Sequence, residues 1–434
     1  MTFSKIGRFV TALVASTALG LGMTACGGGT IGYLWVVGTY QNGASGQISG
    51  FKVDQYTGNL TQMDHSPYSS GGSNPQTLVV KTGGRFVYTI NSGAGEVGTP
   101  GSAGYVAGGG SAISEFSVGG GGVLTFQQSY YSQGTHPVWG TFDSTGNFLY
   151  VIDRYSPNYG KPAVGGGMNT NGSITAFAVD PSTGRLTLVP NNSVLNPNGS
   201  ATTVFEVGPN PTMSKVGSGS CLYTMSAGQI FPYIISSSTG QLTIPTTGPL
   251  VIASGIANSP PNLTSINTSI GSSASSFIYL TDGANNQIYS FQAGGTACTL
   301  SPIAARQQNN VAVNVVPVNS LTSANGQYLY VINRSTTGGN QSPTQSSISA
   351  FKVNPLGQLA ELPDPGNNPY AVGSGPVCVA EDPSNQYLYT TNSADGTITG
   401  KLLNQTTGYL SNLQHGSTFQ TTQNPACLAI SGNL

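Results

Sequence analysis

Charge is scarce in this 434-residue chain: 13 Lys and Arg stand against 14 Asp and Glu, so only 6% of the residues are charged. Globular domains average about 25%. So few basic residues cannot supply the positive surface that nucleic-acid binding requires, which excludes nucleic acid as a partner. Closely spaced Cys and His pairs of the kind that bind zinc are also missing from the sequence. We therefore expect no metal and no cofactor.

Glycine and proline are abundant instead, with 61 and 26 residues, and hydrophobic residues make up 38% of the chain. The 21 Tyr and 15 Phe fall in short clusters, which is too much clustered apolar surface for a disordered chain. Aromatic strands separated by many tight turns are typical of an all-β protein. At this length the chain must be either two domains or one large repetitive architecture.

The first residues have the pattern of a bacterial lipoprotein signal. Lys5 and Arg8 precede an apolar stretch over residues 9–21, and the sequence LGMTAC ends at Cys26. The stretch is too short for a membrane span and has the length of a signal-peptide core. We predict a signal peptide over residues 1–25, a Gly-rich tether over 26–32, and a lipid anchor on Cys26. The protein would then be exported and membrane-anchored, in the periplasm or at the outer membrane or cell surface. An ordinary signal peptide with an incidental Cys is the alternative.

One hexapeptide type recurs seven times, with starts 51 to 73 residues apart. Each spacing is long enough for a four-stranded sheet with its loops. The copies are YLWVVG at Tyr33, FVYTIN at Phe86, FLYVID at Phe148, CLYTMS at Cys221, FIYLTD at Phe277, YLYVIN at Tyr328 and YLYTTN at Tyr387.

Three further units accompany each hexapeptide. A strand such as GSITAFAVD follows it, then a T-G-x-L turn with another strand, and a short strand often opened by Pro precedes it. The chain begins at the second strand of a repeat and ends after an isolated first strand, at Cys427 and beyond. These complementary ends predict a seven-bladed β-propeller of four-stranded antiparallel blades over residues 33–434. The C-terminal strand would close the ring by pairing with the N-terminal strands.

These motifs resemble the lactonase family of seven-bladed β-propellers, whose founding activity is hydrolysis of 6-phosphogluconolactone. The resemblance rests on the Pro-opened strand, the [FY]-[LV]-Y-[VT] strand, the G-x-[IV]-x-x-F-x-[VI]-D strand and the T-G-x-L turn. It implies a hydrolase of sugar lactones. The repeat is specific for the architecture and only weakly specific for the activity.

The topology predicts a polar ring where the second strands end, on the face at which the central channel opens. Candidate ligand-binding residues there are Asn91, Asp282, Asn333 and Arg334. Long loops over residues 92–110, 154–171 and 334–345 lie on the same face, and their Tyr105, Tyr155 and Tyr159 could stack on a sugar or a peptide. Asn and Asp at strand ends also cap turns, so a structural role is the alternative.

Blade 3 carries the candidate catalytic residues His136, Asp153 and Arg154. The family pattern has His-Pro-His where this chain has His136-Pro137-Val138, and its fourth-blade Arg-His and Asn-Glu pairs are replaced here. Lactone hydrolysis needs a base that activates water and a cation that stabilises the oxyanion. His136 and Arg154 suit these roles, with Arg334 as a second choice of cation and Asp153 orienting the His. Alternatively, His136 only caps or packs at a strand start.

Four cysteines follow Cys26, and in an exported protein an even number permits two disulfides. The repeat places Cys378 and Cys427 at the same position of adjacent blades, and it places Cys221 and Cys298 in another pair of adjacent blades. The candidate pairs are therefore Cys221 with Cys298 and Cys378 with Cys427. Buried free thiols are the alternative.

Two functions are compatible with the sequence. The first is hydrolysis of a small sugar lactone at the channel face. The second is non-catalytic binding of a glycan or a protein partner by the long loops at the cell envelope. In both we expect a monomer that contacts the membrane through the lipid on Cys26.

Overall fold

The structure is a computed structural model, and most of the chain beyond the N-terminal segment is described by it. The described residues are 29–39, 45–93, 111–162, 166–195, 201–217, 220–253, 259–270, 276–303, 315–335, 346–364 and 367–432. The predicted signal peptide and residues 26–28 of the predicted tether, Cys26 included, lie outside them, as do most of the loops 92–110 and 334–345. Residues 30–32 of the predicted tether belong to the first strand. Helix within the described ranges is limited to the 3-10 turns Gly120–Gly122 and Gly295–Ala297, so none is long and apolar enough to span a membrane.

Seven antiparallel sheets form the blades. Blade 1 begins with β1 (Thr30–Thr39), β2 (Ser45–Asp54), β3 (Leu60–Gln62) and β4 (Tyr68–Ser73), and blade 2 contains β5 (Pro75–Val80), β6 (Phe86–Asn91), β7 (Ala112–Val118) and β8 (Leu124–Tyr130). Blade 3 contains β9 (Thr135–Phe142), β10 (Phe148–Tyr155), β11 (Asn171–Val179), β12 (Leu186–Leu188), the separate hairpin β13 (Asn191–Leu195) and β14 (Ala201–Thr202), and β15 (Phe205–Pro209). Blade 4 contains β16 (Pro211–Val216), β17 (Cys221–Ser226), β18 (Gln229–Ile235), β19 (Leu242–Thr243) and β20 (Leu250–Val251).

The remaining blades repeat the order from the inner to the outer strand. Blade 5 contains β21 (Leu263–Ile270), β22 (Ser276–Asp282), β23 (Gln287–Gly294) and β24 (Thr299–Pro302). Blade 6 contains β25 (Val315–Thr322), β26 (Tyr328–Ser335), β27 (Ser347–Val353), β28 (Leu359–Glu361) and β29 (Tyr370–Ala371). Blade 7 contains β30 (Pro376–Glu381), β31 (Tyr387–Asn392), β32 (Thr397–Leu403), β33 (Leu410–Asn412) and β34 (Thr418–Gln420), and β35 (Leu428–Gly432) ends the chain.

The ring closes where the two ends of the described chain meet. Strand β35 is the innermost strand of blade 1 and pairs antiparallel with β1, with Leu34 opposite Ile430 and Val36 opposite Leu428. It also packs against the innermost strands of both neighbouring blades, β5 and β30. The predicted all-β fold, the seven blades and the closure by the C-terminal strand are confirmed.

The outer edges are more elaborate than the predicted single strand. In five blades a second short strand pairs with the third strand of the blade, and these extra strands are β4, β15, β20, β29 and β34. In blade 1 a turn at residues 63–67 separates β3 from β4, and both pair with β2. The outer edge is therefore interrupted by turns that the apolar alternation does not reveal.

A repeated hydrogen bond connects neighbouring blades. The third hexapeptide residue donates to the backbone carbonyl of a turn glycine in the next blade, and the tyrosines involved are buried. The pairs are Trp35 with Gly122, Tyr88 with Gly184, Tyr150 with Gly240, Tyr279 with Gly357, Tyr330 with Gly408 and Tyr389 with Gly58. Gly408 has a φ of 75°, and a Cβ there would collide with the ring of Tyr328. The turn thus requires glycine for its backbone conformation and for the close approach of the preceding blade.

The interface between blades 4 and 5 differs from these six. Tyr223 occupies the same hexapeptide position, yet its buried hydroxyl has no hydrogen-bond partner among the described residues. A disulfide between Cys221 and Cys298 joins these two blades, with the Cα atoms 5.4 Å apart. The second disulfide, Cys378–Cys427, joins blades 7 and 1 next to the ring closure. Both candidate cysteine pairs are therefore bonded in the structure.

Candidate active site

His136 lies at the start of β9 in a backbone conformation that few residue types adopt. Its φ is 59°, in the left-handed region. The residue preceding the strand-opening Pro has the same conformation in other blades, where it is Asn74, Asn210, Asn424 or Gly375. Glycine adopts positive φ most readily, and Asn, Asp and His adopt it more often than the other residue types do. Blade 3 thus places a half-buried imidazole where four other blades have Asn or Gly.

Arg154 lies on β10, opposite His136 of β9. In the pairing of β9 with β10, Asp153 is opposite Pro137 and Tyr155 is opposite Thr135, which places Arg154 across from His136. The side chain is half-buried, and its Nε is buried without a hydrogen-bond partner in the described part of the chain. A guanidinium without a carboxylate partner among the described residues is suited to bind an anion.

Two aromatic rings extend the site away from His136. The ring centroid of Tyr155 is 6.0 Å from that of His136, and Tyr159 packs edge-on against Tyr155 at 4.6 Å. The loop that carries Tyr159 is held by its own backbone, since Gly160 donates to the carbonyl of Asn169 at 2.8 Å. Together the rings form an amphipathic surface beside His136 of the kind that contacts sugars.

Asp153 is placed differently from its expected role. It is fully buried, and its carboxylate accepts hydrogen bonds from Ser132 Oγ, from Thr175 Oγ1 at 3.0 Å and from the Gly134 amide at 3.3 Å. Burial raises the pKa of Asp153 to about 7, although these three donors favour the charged form. None of its contacts is with His136, so Asp153 does not orient the imidazole. It fixes instead the backbone of residues 132–134, which leads into His136.

The other polar residues of the predicted ring are internal. Asn91, Asp282 and Asn333 are 0% exposed, so they do not face the channel opening. Each bonds to the third strand of its own blade: Asn333 donates to Ser349 Oγ at 2.9 Å, and Asp282 accepts from the Tyr289 hydroxyl at 2.8 Å. Asn91 donates to the Ala112 carbonyl at 3.1 Å. This placement matches the turn-stabilising alternative and corrects the prediction of a ligand-binding ring.

Arg334 does not join the site on blade 3. It is exposed on β26 of blade 6, where it pairs in register with Val316 of β25. Arg154 is therefore the arginine that accompanies His136. The sequence also contains a signal for His136. When the Pro-opened strands are aligned, other copies have Asn-Pro, and His-Pro occurs only at residues 136–137.

Two cavities of the described residues lie outside this site. One of about 340 Å³ lies at the outer rim between blades 3 and 4, lined by apolar side chains such as Phe205 and Ile244 and by Asn158 of the loop that also carries Tyr159. Another lies between blades 6 and 7. In the described ranges no group of three or more His, Cys, Asp or Glu could hold a metal ion. Among the described residues, the blade-3 site therefore offers an imidazole, a guanidinium and two phenols.

Comparison with known proteins agrees with this architecture. The family model described as lactonase, 7-bladed beta-propeller, matches residues 34–103. A Bacteroides fragilis protein named for a proposed 6-phosphogluconolactonase activity is 20% identical with a TM-score of 0.65, covering 93% of this chain and 98% of that one. A periplasmic gluconolactonase of Pseudomonas aeruginosa is 18% identical with a TM-score of 0.63, covering 92% and 99%. No curated protein matches the chain.

At these identities the solved structures establish the fold, and the family model adds sequence evidence over blade 1 and the start of blade 2. The resemblance stated from the repeat motifs is confirmed by both. The chain is a seven-bladed β-propeller that resembles the lactonase family, in sequence over residues 34–103 and in fold around the ring.

Proposed function

We propose that this protein is an exported lactonase that opens the ring of a sugar lactone at the blade-3 end of the channel. The observation that carries the proposal is His136, held at a φ of 59° across from Arg154. Four other blades have Asn or Gly at this position with the same positive φ, so the imidazole is not needed for the turn. What distinguishes blade 3 is the imidazole itself, which lies opposite a guanidinium.

The two side chains divide the chemistry of ester hydrolysis between them. His136 takes a proton from water, whose oxygen forms a bond to the lactone carbonyl carbon. The Arg154 guanidinium stabilises the negative charge that develops on the carbonyl oxygen. The ring C–O bond then breaks, and the imidazolium returns the proton to the leaving oxygen, which gives a hydroxy acid. Tyr155 and Tyr159 would hold the apolar face of the sugar, and Asp153 is a positioning residue that fixes the backbone leading to His136.

We also propose export and a lipid anchor. The basic residues Lys5 and Arg8, the apolar stretch 9–21 and Cys26 support this part of the proposal. A protein of the same fold from Pseudomonas aeruginosa is named as a periplasmic gluconolactonase. Phosphorylated sugar lactones are cytoplasmic metabolites, so an exported enzyme would act on an unphosphorylated lactone.

A proton-release assay tests the proposal with protein lacking residues 1–26 and a panel containing glucono-1,5-lactone and its 6-phosphate. We expect the unphosphorylated lactone to open faster than in buffer. Arg154→Met should lower kcat about 100-fold, the usual loss when one oxyanion donor is removed. Arg334→Met, which removes an exposed arginine from blade 6, is the matched control and should leave the rate unchanged. If no lactone opens faster than in buffer, the protein is the non-catalytic binding propeller instead.

A further inference from the structure

One blade departs from the repeat at the centre of its third strand. Six blades have a buried aromatic residue five positions after the residue that opens this strand unit, and the seventh has Lys401 there. The six residues are Phe51, Phe116, Phe177, Tyr233, Phe291 and Phe351. These aromatic side chains are 1% to 7% exposed and belong to the apolar cores of their blades. Lys401 is equally buried, at 6% exposed.

Few interactions of the Lys401 ammonium offset the cost of removing its charge from water. Its Nζ donates one hydrogen bond, to Asn412 Oδ1 at 2.7 Å, and no carboxylate of the described residues forms an ion pair with it. Burial lowers the pKa of Lys401, and no neighbouring charge counteracts that effect. A buried charge without a counter-ion is costly, and the aromatic residue of the other blades would avoid the cost. The lysine is therefore not explained by stability.

A cavity of about 990 Å³ lies where the side chain points, between blades 6 and 7. Much of its lining is polar: Asn367, Tyr370, Asp395, Thr399, Asn412 and Thr418 contribute amides, hydroxyls and a carboxyl. Such groups are suited to hydrogen-bond the hydroxyls of a ligand, while the ammonium supplies a single positive charge. Asp395 repels a ligand with two negative charges about twice as strongly as one with a single charge, so among anions a monoanion is disfavoured least.

We propose that this cavity binds a small hydroxylated carboxylate, of the sugar-acid class, with the carboxylate on Lys401 Nζ and the hydroxyls on the polar lining. The ligand supplies the counter-charge that the protein lacks. The site belongs to blades 6 and 7 and is separate from His136 and Arg154. It stands whether or not the protein hydrolyses lactones.

Isothermal titration calorimetry with gluconate tests the proposal on the full chain purified in detergent. We expect saturable binding to the wild type with a Kd of about 1 mM or tighter. Lys401→Met keeps the apolar stem and removes the charge, and it should weaken gluconate binding at least about tenfold. Lys352→Met, which removes an exposed lysine beside Phe351 of blade 6, is the matched control and should bind as the wild type does.

A second variant separates binding from folding. Lys401→Phe restores the aromatic residue of the other six blades, so it should fold with a Tm no lower than that of the wild type and should fail to bind gluconate. Absence of gluconate binding to the wild type would overturn the proposal, as would equal binding by wild type, Lys401→Met and Lys401→Phe. Tighter binding of inorganic phosphate than of gluconate would overturn the assignment to a carboxylate. A lactone assay on Lys401→Met should show wild-type turnover, which keeps this test distinct from that of the active site.

Discussion

Asp153 supports the backbone of the proposed site without contacting His136. Its carboxyl is enclosed by Ser132, Gly134 and Thr175, while the equivalent strand-end position is Asn91 in blade 2 and Asn333 in blade 6. An amide there carries no charge, whereas the buried carboxyl of Asp153 has its pKa raised to about 7. The folded protein therefore holds a proton that the unfolded chain releases near pH 4.

The free energy of unfolding should fall as the pH rises from about 4 to about 7. Because the native state binds the extra proton, the contribution of Asp153 is fully present below about pH 4 and is lost by about pH 7, a change of up to about 4 kcal/mol. Glu381, whose pKa burial also raises to about 7, acts in the same direction. Asp153→Asn should weaken the decline and be more stable than the wild type at pH 8. Urea denaturation at several pH values measures this.

The control for that series is Asp64→Asn, which changes an exposed carboxyl in the turn between β3 and β4. It should leave the decline of stability with pH as it is in the wild type. A decline in Asp153→Asn as steep as that of the wild type would show that Asp153 does not hold the proton.

At six interfaces between blades, the third hexapeptide residue, Tyr or Trp, donates a hydrogen bond to the carbonyl of a turn glycine in the next blade. At the interface of blades 6 and 7 the Tyr330 hydroxyl donates to the Gly408 carbonyl at 2.9 Å, and both ends are buried between the blades. The blade 4 to blade 5 interface has Tyr223 without a partner among the described residues, and the disulfide Cys221–Cys298 instead. One of the two disulfides thus joins the blades that lack the hydrogen bond, whereas the other, Cys378–Cys427, joins blades 7 and 1, which also have the Tyr389–Gly58 bond.

This difference gives a matched pair of substitutions. Tyr330→Phe removes the hydrogen bond and leaves the Gly408 carbonyl unsatisfied, so the free energy of unfolding should fall by about 1–3 kcal/mol. Tyr223→Phe removes a buried hydroxyl that bonds to nothing in the described chain, so it should be neutral or slightly stabilising. Chemical denaturation of both variants measures the difference. Equal losses in the two would contradict the role of the Tyr–Gly bond.

The whole ring could be predicted from sequence because each blade repeats the same apolar alternation and the ends of the chain are complementary. The split outer strands and the hairpin β13–β14 could not be predicted, since they depend on turns within polar segments.

The sequence predicts Asn91, Asp282 and Asn333 at the channel, whereas the structure buries them. The end of a strand specifies the height of a residue in the blade, but it does not specify whether the side chain faces the channel or the interior. His136 and Arg154 were brought together by register between β9 and β10, which the spacing in sequence alone does not fix.

Three blades have Asn before the strand-opening Pro, one has Gly, and blade 3 has His136; this difference is why the proposed catalytic site is placed on blade 3. The rate of glucono-1,5-lactone opening by His136→Asn tests the assignment, because Asn is the residue that Asn74, Asn210 and Asn424 show to fit the same backbone. Asn210→Gly in blade 4 is the matched control. We predict that His136→Asn keeps the wild-type Tm and loses at least about 100-fold in rate, while Asn210→Gly retains activity. A His136→Asn rate within about twofold of the wild type, under the same conditions, would contradict the account, because general-base catalysis contributes far more than that.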